Sequence, residues 1–238
     1  MKNILFAGVV FCSAALCAAD IHLAGDSTCT SYPASRLPQA GWGQMLNEFC
    51  KPGVKVFNRA LGGYSTKLFI DNGYWDKLIA AVKPGDYVLI QFGHNDEKKE
   101  NPKLYADPET DYQTNLKKMI ADIRAKNANP VLVTSIVRCK YNRRGKMRDS
   151  GLYVFRNAVL KVAGEENVPV VNMNAVTEEK FNKIGEAEAL KYFMYSSENP
   201  KQKGRDRTHT NVDGAKLIAS WLVEDCKKQN LPVAECFK

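Results

Sequence analysis

The chain has 238 residues, of which 45% are hydrophobic and 25% are charged. This length and composition suit one globular domain with a sizeable core, and they exclude a disordered or fibrous chain. The formal net charge of +8 is compatible with binding to nucleic acid, with binding to an acidic polymer, or with lysine-rich faces that are simply solvated.

The first 19 residues have the pattern of a secretory signal peptide. Lys2 supplies a positive charge, positions 4–16 are apolar, and Cys17-Ala18-Ala19 places small residues before the cleavage point. The apolar stretch is too short to span a membrane, and the sequence contains no second one. We therefore expect cleavage after Ala19, a single mature domain over 20–238, and a secreted or periplasmic protein with no membrane span.

Export affects both the expected binding partner and the expected oxidation state of the cysteines. Loss of Lys2 lowers the net charge by one, from +8 to +7, and an acidic polymer outside the cytoplasm suits this charge better than nucleic acid. An oxidising compartment favours one or two disulfides, with Cys226 and Cys236 as the first candidate pair, although the connectivity stays open. No Cys-x-x-Cys motif supports a zinc or thioredoxin-type site. The five cysteines concerned are Cys29, Cys50, Cys139, Cys226 and Cys236.

Predicted strands and helices alternate along the mature chain. Apolar or alternating runs predict five strands, at 20–25, 54–58, 87–92, 131–136 and 168–173. Helical spacing of apolar residues predicts helices at 40–50, 74–82, 111–127, 152–166, 176–190 and 212–229, with a polar loop over 195–207. The third strand is the most apolar and is expected at the sheet centre. The pattern predicts a three-layer α/β/α sandwich on a five-stranded parallel sheet.

Four polar segments follow predicted strands or precede the last helix. They are Gly25-Asp26-Ser27, Gly62-Gly63, Gly93-His94-Asn95-Asp96 and Asp206-Arg207-Thr208-His209. Because open α/β sheets bind ligands at the carboxyl edge of the strands, we expect these segments to meet there.

Together these segments contain the groups that acyl transfer requires. A serine such as Ser27 needs a base to remove its proton. The three-residue spacing lets the Asp206 carboxylate reach the His209 ring, which leaves the other ring nitrogen free to take that proton. The oxyanion needs donors, and the Ser27 and Gly63 amides and the Asn95 side chain can supply them. The Gly-x-Ser-x-Gly elbow of α/β-hydrolases is absent.

The four segments resemble, in the same order, the four blocks of the SGNH (GDSL-type) hydrolases. Within that superfamily the chain is most similar to the rhamnogalacturonan acetylesterases of carbohydrate esterase family twelve. The residues that carry this similarity are Ala24-Gly25-Asp26-Ser27-Thr28, Gly41-Trp42-Gly43, Asn58-Arg59-Ala60, Gly63 with Ser65, Phe92-Gly93-His94-Asn95-Asp96, Asp206, Thr208-His209-Thr210 and Gly214-Ala215.

The resemblance implies a flavodoxin-like sandwich with Ser27 as nucleophile, His209 as base and Asp206 as its partner. It also implies an oxyanion hole made by Ser27, Gly63 and Asn95, no metal and no cofactor. The substrate it implies is an acetylated polysaccharide, rhamnogalacturonan. Separately from the resemblance, we expect a monomer. Tyr64 stands where the family usually has arginine, and this departure bears on substrate preference.

Several interpretations stay open beside this one. The substrate could be acetylxylan, another acetylated glycan or a short-chain ester, and the fold could serve as a non-catalytic glycan-binding domain. A zinc-dependent deacetylase lacks support, since the three histidines form no ligand motif. Of these, His94 is interpreted as structural and His22 as a core residue. Three residues could line the sugar site or serve only in packing: Trp42, Tyr64 and Arg207.

Overall fold

The protein is described here by a computed structural model covering residues 19–148, 150–195 and 205–238. Within them, five parallel strands form one sheet in the order β3-β1-β4-β5-β6, and β2 and β7 form a separate antiparallel ribbon. The strands are β1 (Ile21–Gly25), β2 (Gln39–Ala40), β3 (Val56–Asn58), β4 (Tyr87–Gln91), β5 (Asn129–Val133), β6 (Val170–Val171) and β7 (Thr210–Asn211).

Helices cover both faces of the sheet. One apolar core lies between the sheet and α1, α6, α7 and α8, and a second lies between the sheet and α2, α3, α4 and α5. The helices are α1 (Trp42–Met45), α2 (Thr66–Asp71), α3 (Tyr74–Ala81), α4 (Asp111–Ala125), α5 (Ser150–Glu165), α6 (Met173–Ile184), α7 (Glu186–Ala189) and α8 (Val212–Lys228). The predicted fold class, a five-stranded parallel α/β/α sandwich, is confirmed.

The central strand β4 shows how the two cores are divided. Leu89 faces the core under α8, whereas Val88 and Ile90 face the core under α4. All three side chains are at most 1% exposed. Side chains of a strand alternate between its faces, so a strand covered on both sides must be apolar throughout.

The strand order places the polar segments next to one another. β1 pairs with β3 on one side and with β4 on the other, all in parallel. The segment after β1 that contains Ser27 therefore lies between the segment containing Gly63, which follows β3, and the segment containing Asn95, which follows β4.

The ribbon fastens the start of the last helix to the segment before α1. Ala40 pairs with Thr210, and the Thr210 hydroxyl also donates to the Ala40 carbonyl at 2.7 Å. Because Thr210 directly follows His209, this pairing fixes the backbone that carries the histidine.

The expected Cys226–Cys236 disulfide is wrong: the five described cysteines are all free and buried. Cys226 lies on the core side of α8, whereas the Cys236 thiol lies 3.8 Å from the Ala19 carbonyl oxygen beside the entry to β1. Both cysteines belong to the same apolar core, and neither forms a disulfide. Burial raises the pKa of Cys226 to about 12 and that of Cys236 to about 11, which keeps both protonated and unreactive.

Two sequence predictions concern residues outside the described ranges. The signal peptide at 1–19 is described only at Ala19, and the loop at 195–207 only at its two ends. Among the described helices, none combines the length and apolar character needed to cross a membrane.

Candidate active site

Ser27 sits in a tight turn directly after β1. The Asp26 carbonyl accepts hydrogen bonds from the Cys29 and Thr30 amides, and the Asp26 carboxylate accepts from the Thr28 amide at 2.9 Å. The turn also requires Gly25, because a Cβ atom there would lie 2.3 Å from the Cys29 sulfur. The turn thereby presents Ser27 at the carboxyl edge of the sheet.

His209 and Asp206 reach Ser27 from the segment before α8. The Nε2 atom of His209 lies 2.9 Å from the Ser27 Oγ, and its Nδ1 atom lies 2.7 Å from Asp206 Oδ2. The other carboxylate oxygen of Asp206 accepts from the backbone amides of Thr208 and His209 at 2.8 and 3.0 Å. The structure thus brings the three predicted residues, from positions 182 apart in the chain, into one hydrogen-bonded line.

The Asp206 carboxyl is half-buried but remains a strong acid. Burial favours its neutral form, but the hydrogen bond and charge of His209 and the two backbone amides outweigh burial and lower its pKa to about 2. An ionised carboxylate at Nδ1 holds the proton of the imidazole on that nitrogen. Nε2 is then the acceptor that faces the serine hydroxyl.

The three predicted oxyanion donors border one cleft together with His209. This cleft has a volume of about 780 Å³ and includes Ser27, Gly63 and Asn95 in its lining. Gly63 has φ of +84°, a conformation that favours glycine. Asn95 is oriented at both ends of its amide: its nitrogen donates to the Tyr64 carbonyl at 2.9 Å, and its oxygen accepts from Lys98 at 2.8 Å. One N–H of the Asn95 amide remains beyond that bond.

A buried chain of hydrogen bonds supports the serine turn from below. The Trp42 ring nitrogen donates to Gln91 at 2.7 Å, Gln91 donates to the Thr28 hydroxyl at 2.9 Å, and that hydroxyl donates to Asp26 at 2.7 Å. Gln91 was not identified from the sequence. The sequence pattern could have indicated it, because a glutamine at the end of the most apolar strand is buried and needs a hydrogen-bond partner.

The remaining histidines are both buried. His22 bonds to Asp86 at 3.1 Å from within β1, and burial lowers its pKa. His94 borders the cleft, and burial together with the nearby charge of Arg138 holds its pKa well below the ordinary value. Both rings are therefore neutral, in keeping with core and structural interpretations.

The three residues suggested for sugar contacts have other partners. Trp42 is buried against Gln91, and Tyr64 packs edge-on against Tyr74. Arg207 pairs with Glu186 at 2.9 Å and lies over the Tyr195 ring. The cleft is bordered instead by side chains that the sequence did not identify, namely Tyr32, Ser35, Arg36, Gln39, Lys98 and Arg138.

The described residues contain no group of three or more histidine, cysteine, aspartate or glutamate side chains able to hold a metal ion. The chemistry that the described site can perform is proton transfer from a serine hydroxyl to an imidazole, next to amide donors.

Comparison with known proteins gives consistent results. The model of the GDSL-like Lipase/Acylhydrolase family matches residues 23–217. The probable rhamnogalacturonan acetylesterase YesY of Bacillus subtilis (strain 168) is 35% identical, over 90% of this chain and 95% of its own. The rhamnogalacturonan acetylesterase RhgT of the same organism is 33% identical, over 90% and 92% of the two chains.

Two of the solved structures that resemble this protein show the range of similarity. Protein YxiM from Bacillus subtilis has a TM-score of 0.76 at 27% identity, covering 90% of this chain and 57% of that one. Axe2, an acetylxylan esterase from Geobacillus stearothermophilus, has a TM-score of 0.63 at 17% identity, covering 87% and 94%. The second similarity is one of fold.

Proposed function

The chain belongs to the GDSL-like lipase/acylhydrolase family, and we propose that it is exported and removes O-acetyl groups from the pectic polysaccharide rhamnogalacturonan. Its named relatives make it an SGNH acetyl esterase, that is, a serine esterase. The exported state, the polymer and the roles of individual residues are parts of the proposal.

The first half of the proposed reaction forms an acetyl-enzyme. The Ser27 oxygen attacks the acetyl carbonyl carbon while His209 Nε2 takes the hydroxyl proton. The amides of Ser27 and Gly63 and the Asn95 side chain donate to the oxyanion that forms. As the tetrahedral intermediate collapses, the imidazolium returns its proton to the departing sugar oxygen. The sugar leaves with a free hydroxyl.

The second half of the proposed reaction repeats these steps with a water molecule in place of the serine hydroxyl. His209 takes a proton from water, the hydroxide attacks the acetyl carbon, and the same donors hold the second oxyanion. Collapse releases acetate and returns the proton to Ser27. Asp206 stays ionised throughout and stabilises the imidazolium that forms twice in each turnover.

The observation that best supports this mechanism is the hydrogen-bonded line from Ser27 through His209 to Asp206 at the edge of the cleft. We expect Ser27→Ala to lower kcat for p-nitrophenyl acetate by about 10⁴–10⁶-fold. Ser220→Ala is the matched control, since the Ser220 hydroxyl bonds to Leu217 within α8. A Ser27→Ala protein that hydrolyses the ester at the normal rate would remove Ser27 as the nucleophile and, with it, the proposed mechanism.

Rhamnogalacturonan is proposed as the polymer because YesY and RhgT carry that substrate in their names. Acetylxylan is the second candidate, since the chain shares its fold with an acetylxylan esterase. The test is acetate release from acetylated rhamnogalacturonan and acetylated xylan at equal ester concentration. Their deacetylated forms at equal mass serve as blanks. A higher kcat/KM on acetylxylan would replace the proposed substrate with the second.

Export is proposed from the leader pattern at positions 1–19. When the whole chain is expressed in a bacterium with a general secretion system, the protein outside the cytoplasm should begin at Asp20. Intact mass measurement of that fraction and of the cytoplasmic fraction checks this. Full-length protein confined to the cytoplasm would contradict export, and light scattering on the same sample tests the proposed monomer.

A further inference from the structure

We propose that Arg36 and Lys98 form a carboxylate-binding site in the active-site cleft, which selects acetyl esters on sugars next to a uronic acid. Both side chains border the same cleft as Ser27 and His209. The identity of the acidic polymer rests on the proposed function, whereas the carboxylate site can be tested without it.

Arg36 is held in place by uncharged partners. Its Nη2 atom donates to Gln39 Oε1 at 2.9 Å, and its guanidinium carbon lies 5.8 Å from the centre of the Tyr32 ring. Gln39 is 1% exposed and belongs to the ribbon strand β2, so it gives the exposed arginine a rigid anchor. A guanidinium has five N–H donors, and the amide oxygen uses one of them. The others suit the planar, two-oxygen face of a carboxylate.

Lys98 is likewise held by an amide oxygen. Its Nζ atom donates to Asn95 Oδ1 at 2.8 Å, three residues back along the same loop. An ammonium group has three donors, so this bond orients the lysine and uses one of them. Among the described residues, no carboxylate forms an ion pair with Lys98. The bond also places the Lys98 ammonium group in direct contact with Asn95, the proposed oxyanion donor. A carboxylate bound by Lys98 would thus lie close to the ester.

Arg138, which also borders the cleft among the described residues, differs from these two. It forms an ion pair with Glu97, and both members of the pair are largely buried. Its charge is therefore already balanced. Among the described residues that border the cleft, Arg36 and Lys98 are the cations bonded to neutral amide oxygens.

The size of the cleft fits an oligosaccharide. Its volume of about 780 Å³ is in the range of sites for drug-sized ligands and exceeds what an acetyl group needs. Near a protein surface, charge attraction is stronger than in bulk solvent. A free uronate would gain this attraction, whereas its methyl ester or a neutral xylan would not.

The site can be tested by inhibition of p-nitrophenyl acetate hydrolysis. The probes are an oligogalacturonate without acetyl groups and the same oligosaccharide fully methyl-esterified. For the wild type we expect the acid to inhibit at least about tenfold more strongly, the effect of one charge-assisted hydrogen bond. In the double variant Arg36→Gln/Lys98→Gln, the ratio of the two inhibition constants should fall to near one.

A matched control removes two charges at the opposite edge of the sheet. Lys55 precedes β3 and Lys126 follows α4, and both are exposed. The control Lys55→Gln/Lys126→Gln should keep the wild-type ratio. Arg36→Lys and Lys98→Arg, which preserve charge, should keep it within about threefold. Because the readout is a ratio within each variant, a general loss of activity does not change it.

Three results would overturn the proposal. They are a wild-type ratio near one, an unchanged ratio in the cleft variant, and an equal fall in the control variant, which would show that only net charge matters. Failure of the polymer assignment alone would give a result distinct from these three. The wild type would then release no acetate from acetylated rhamnogalacturonan while keeping its preference for the free oligogalacturonate as inhibitor.

Discussion

At the scale of single residues, Asp206 both orients His209 and keeps its charge. One oxygen accepts from the imidazole and the other from two backbone amides, so the carboxylate cannot rotate without losing a bond. Its pKa of about 2 means that it is ionised at any pH where the protein is normally handled. The acid side of a pH–rate profile above pH 4 should therefore not report Asp206.

We expect Asp206→Asn to lower kcat by about 10⁴-fold, because an amide nitrogen facing Nδ1 favours the wrong imidazole tautomer. Asp213→Asn is the control, since Asp213 is exposed in the first turn of α8. Steady-state rates with p-nitrophenyl acetate measure both. A loss below about tenfold would mean that His209 does not depend on this carboxylate.

Gly25 tests how tightly the serine turn is packed. A Cβ atom would lie 2.3 Å from the Cys29 sulfur and 2.6 Å from the Gln91 carbonyl oxygen, so Gly25→Ala should cost about 1–3 kcal/mol of unfolding free energy. Gly164 provides the opposite control. It lies in α5 with open space around its Cβ position, and Gly164→Ala should add about 0.5–1 kcal/mol. Chemical denaturation measures both, and equal effects would contradict the packing argument.

At the scale of elements, Asp96 fastens the start of α2 to the segment after β4. Its carboxylate accepts from the Thr66 amide at 2.8 Å and from the Thr66 hydroxyl at 2.5 Å. Burial raises the pKa of Asp96 to about 7, although the Thr66 hydrogen bonds oppose this. The carboxyl therefore titrates near neutrality inside the protein.

This shift makes stability depend on pH. Between its usual value of 3.8 and about 7, the folded protein retains a proton at Asp96 that the unfolded chain releases. The contribution of this group to stability is thus highest below about pH 4 and falls as pH rises to 7, by about 1.4 kcal/mol per pKa unit.

Asp96→Asn should flatten this part of the curve of stability against pH. Asp76→Asn, at an exposed position in α3, should not. Denaturation from pH 4 to 8 checks it, and parallel curves for wild type and Asp96→Asn would contradict it.

Elements with strong periodicity could be predicted from the sequence. The amphipathic helices α4 and α8 end within two residues of their predicted bounds. In contrast, α2 has six residues and its start depends on Asp96, 30 positions away. The ribbon strands β2 and β7 have two residues each and pair across 170 positions. Such elements exist only through tertiary contacts, so local pattern does not reveal them.

The same contrast holds for the candidate site. Ser27, Asn95 and His209 could be placed together because each follows a predicted strand or precedes a predicted helix. Arg36 and Lys98 could not, since they are two among 34 lysines and arginines. What distinguishes them is the position of their charges in the cleft, with amide oxygens as partners.

At the scale of the whole molecule, the five buried thiols make the fold independent of disulfides. Burial raises the pKa of Cys139 and Cys226 to about 12 each. The native mature protein should therefore react with no Ellman's reagent over minutes, and after unfolding it should release about five equivalents. Absorbance titration measures this. One or three equivalents after unfolding would show that two disulfides or one disulfide form in the protein.

The ribbon of β2 and β7 also supports two parts of the cleft at once: the segment that carries His209 and the residue that binds Arg36. In it, Thr210 of β7 directly follows His209, the proposed base, and pairs with Ala40 of β2. The same strand β2 carries Gln39, which accepts the hydrogen bond of Arg36. If heat loosens this ribbon before the sheet melts, affinity for acidic sugars and turnover should decline together, at a temperature below that of global unfolding. On mild heating, the enzyme would then lose turnover rate and selectivity for acidic sugars together, while its far-UV circular dichroism spectrum remains unchanged.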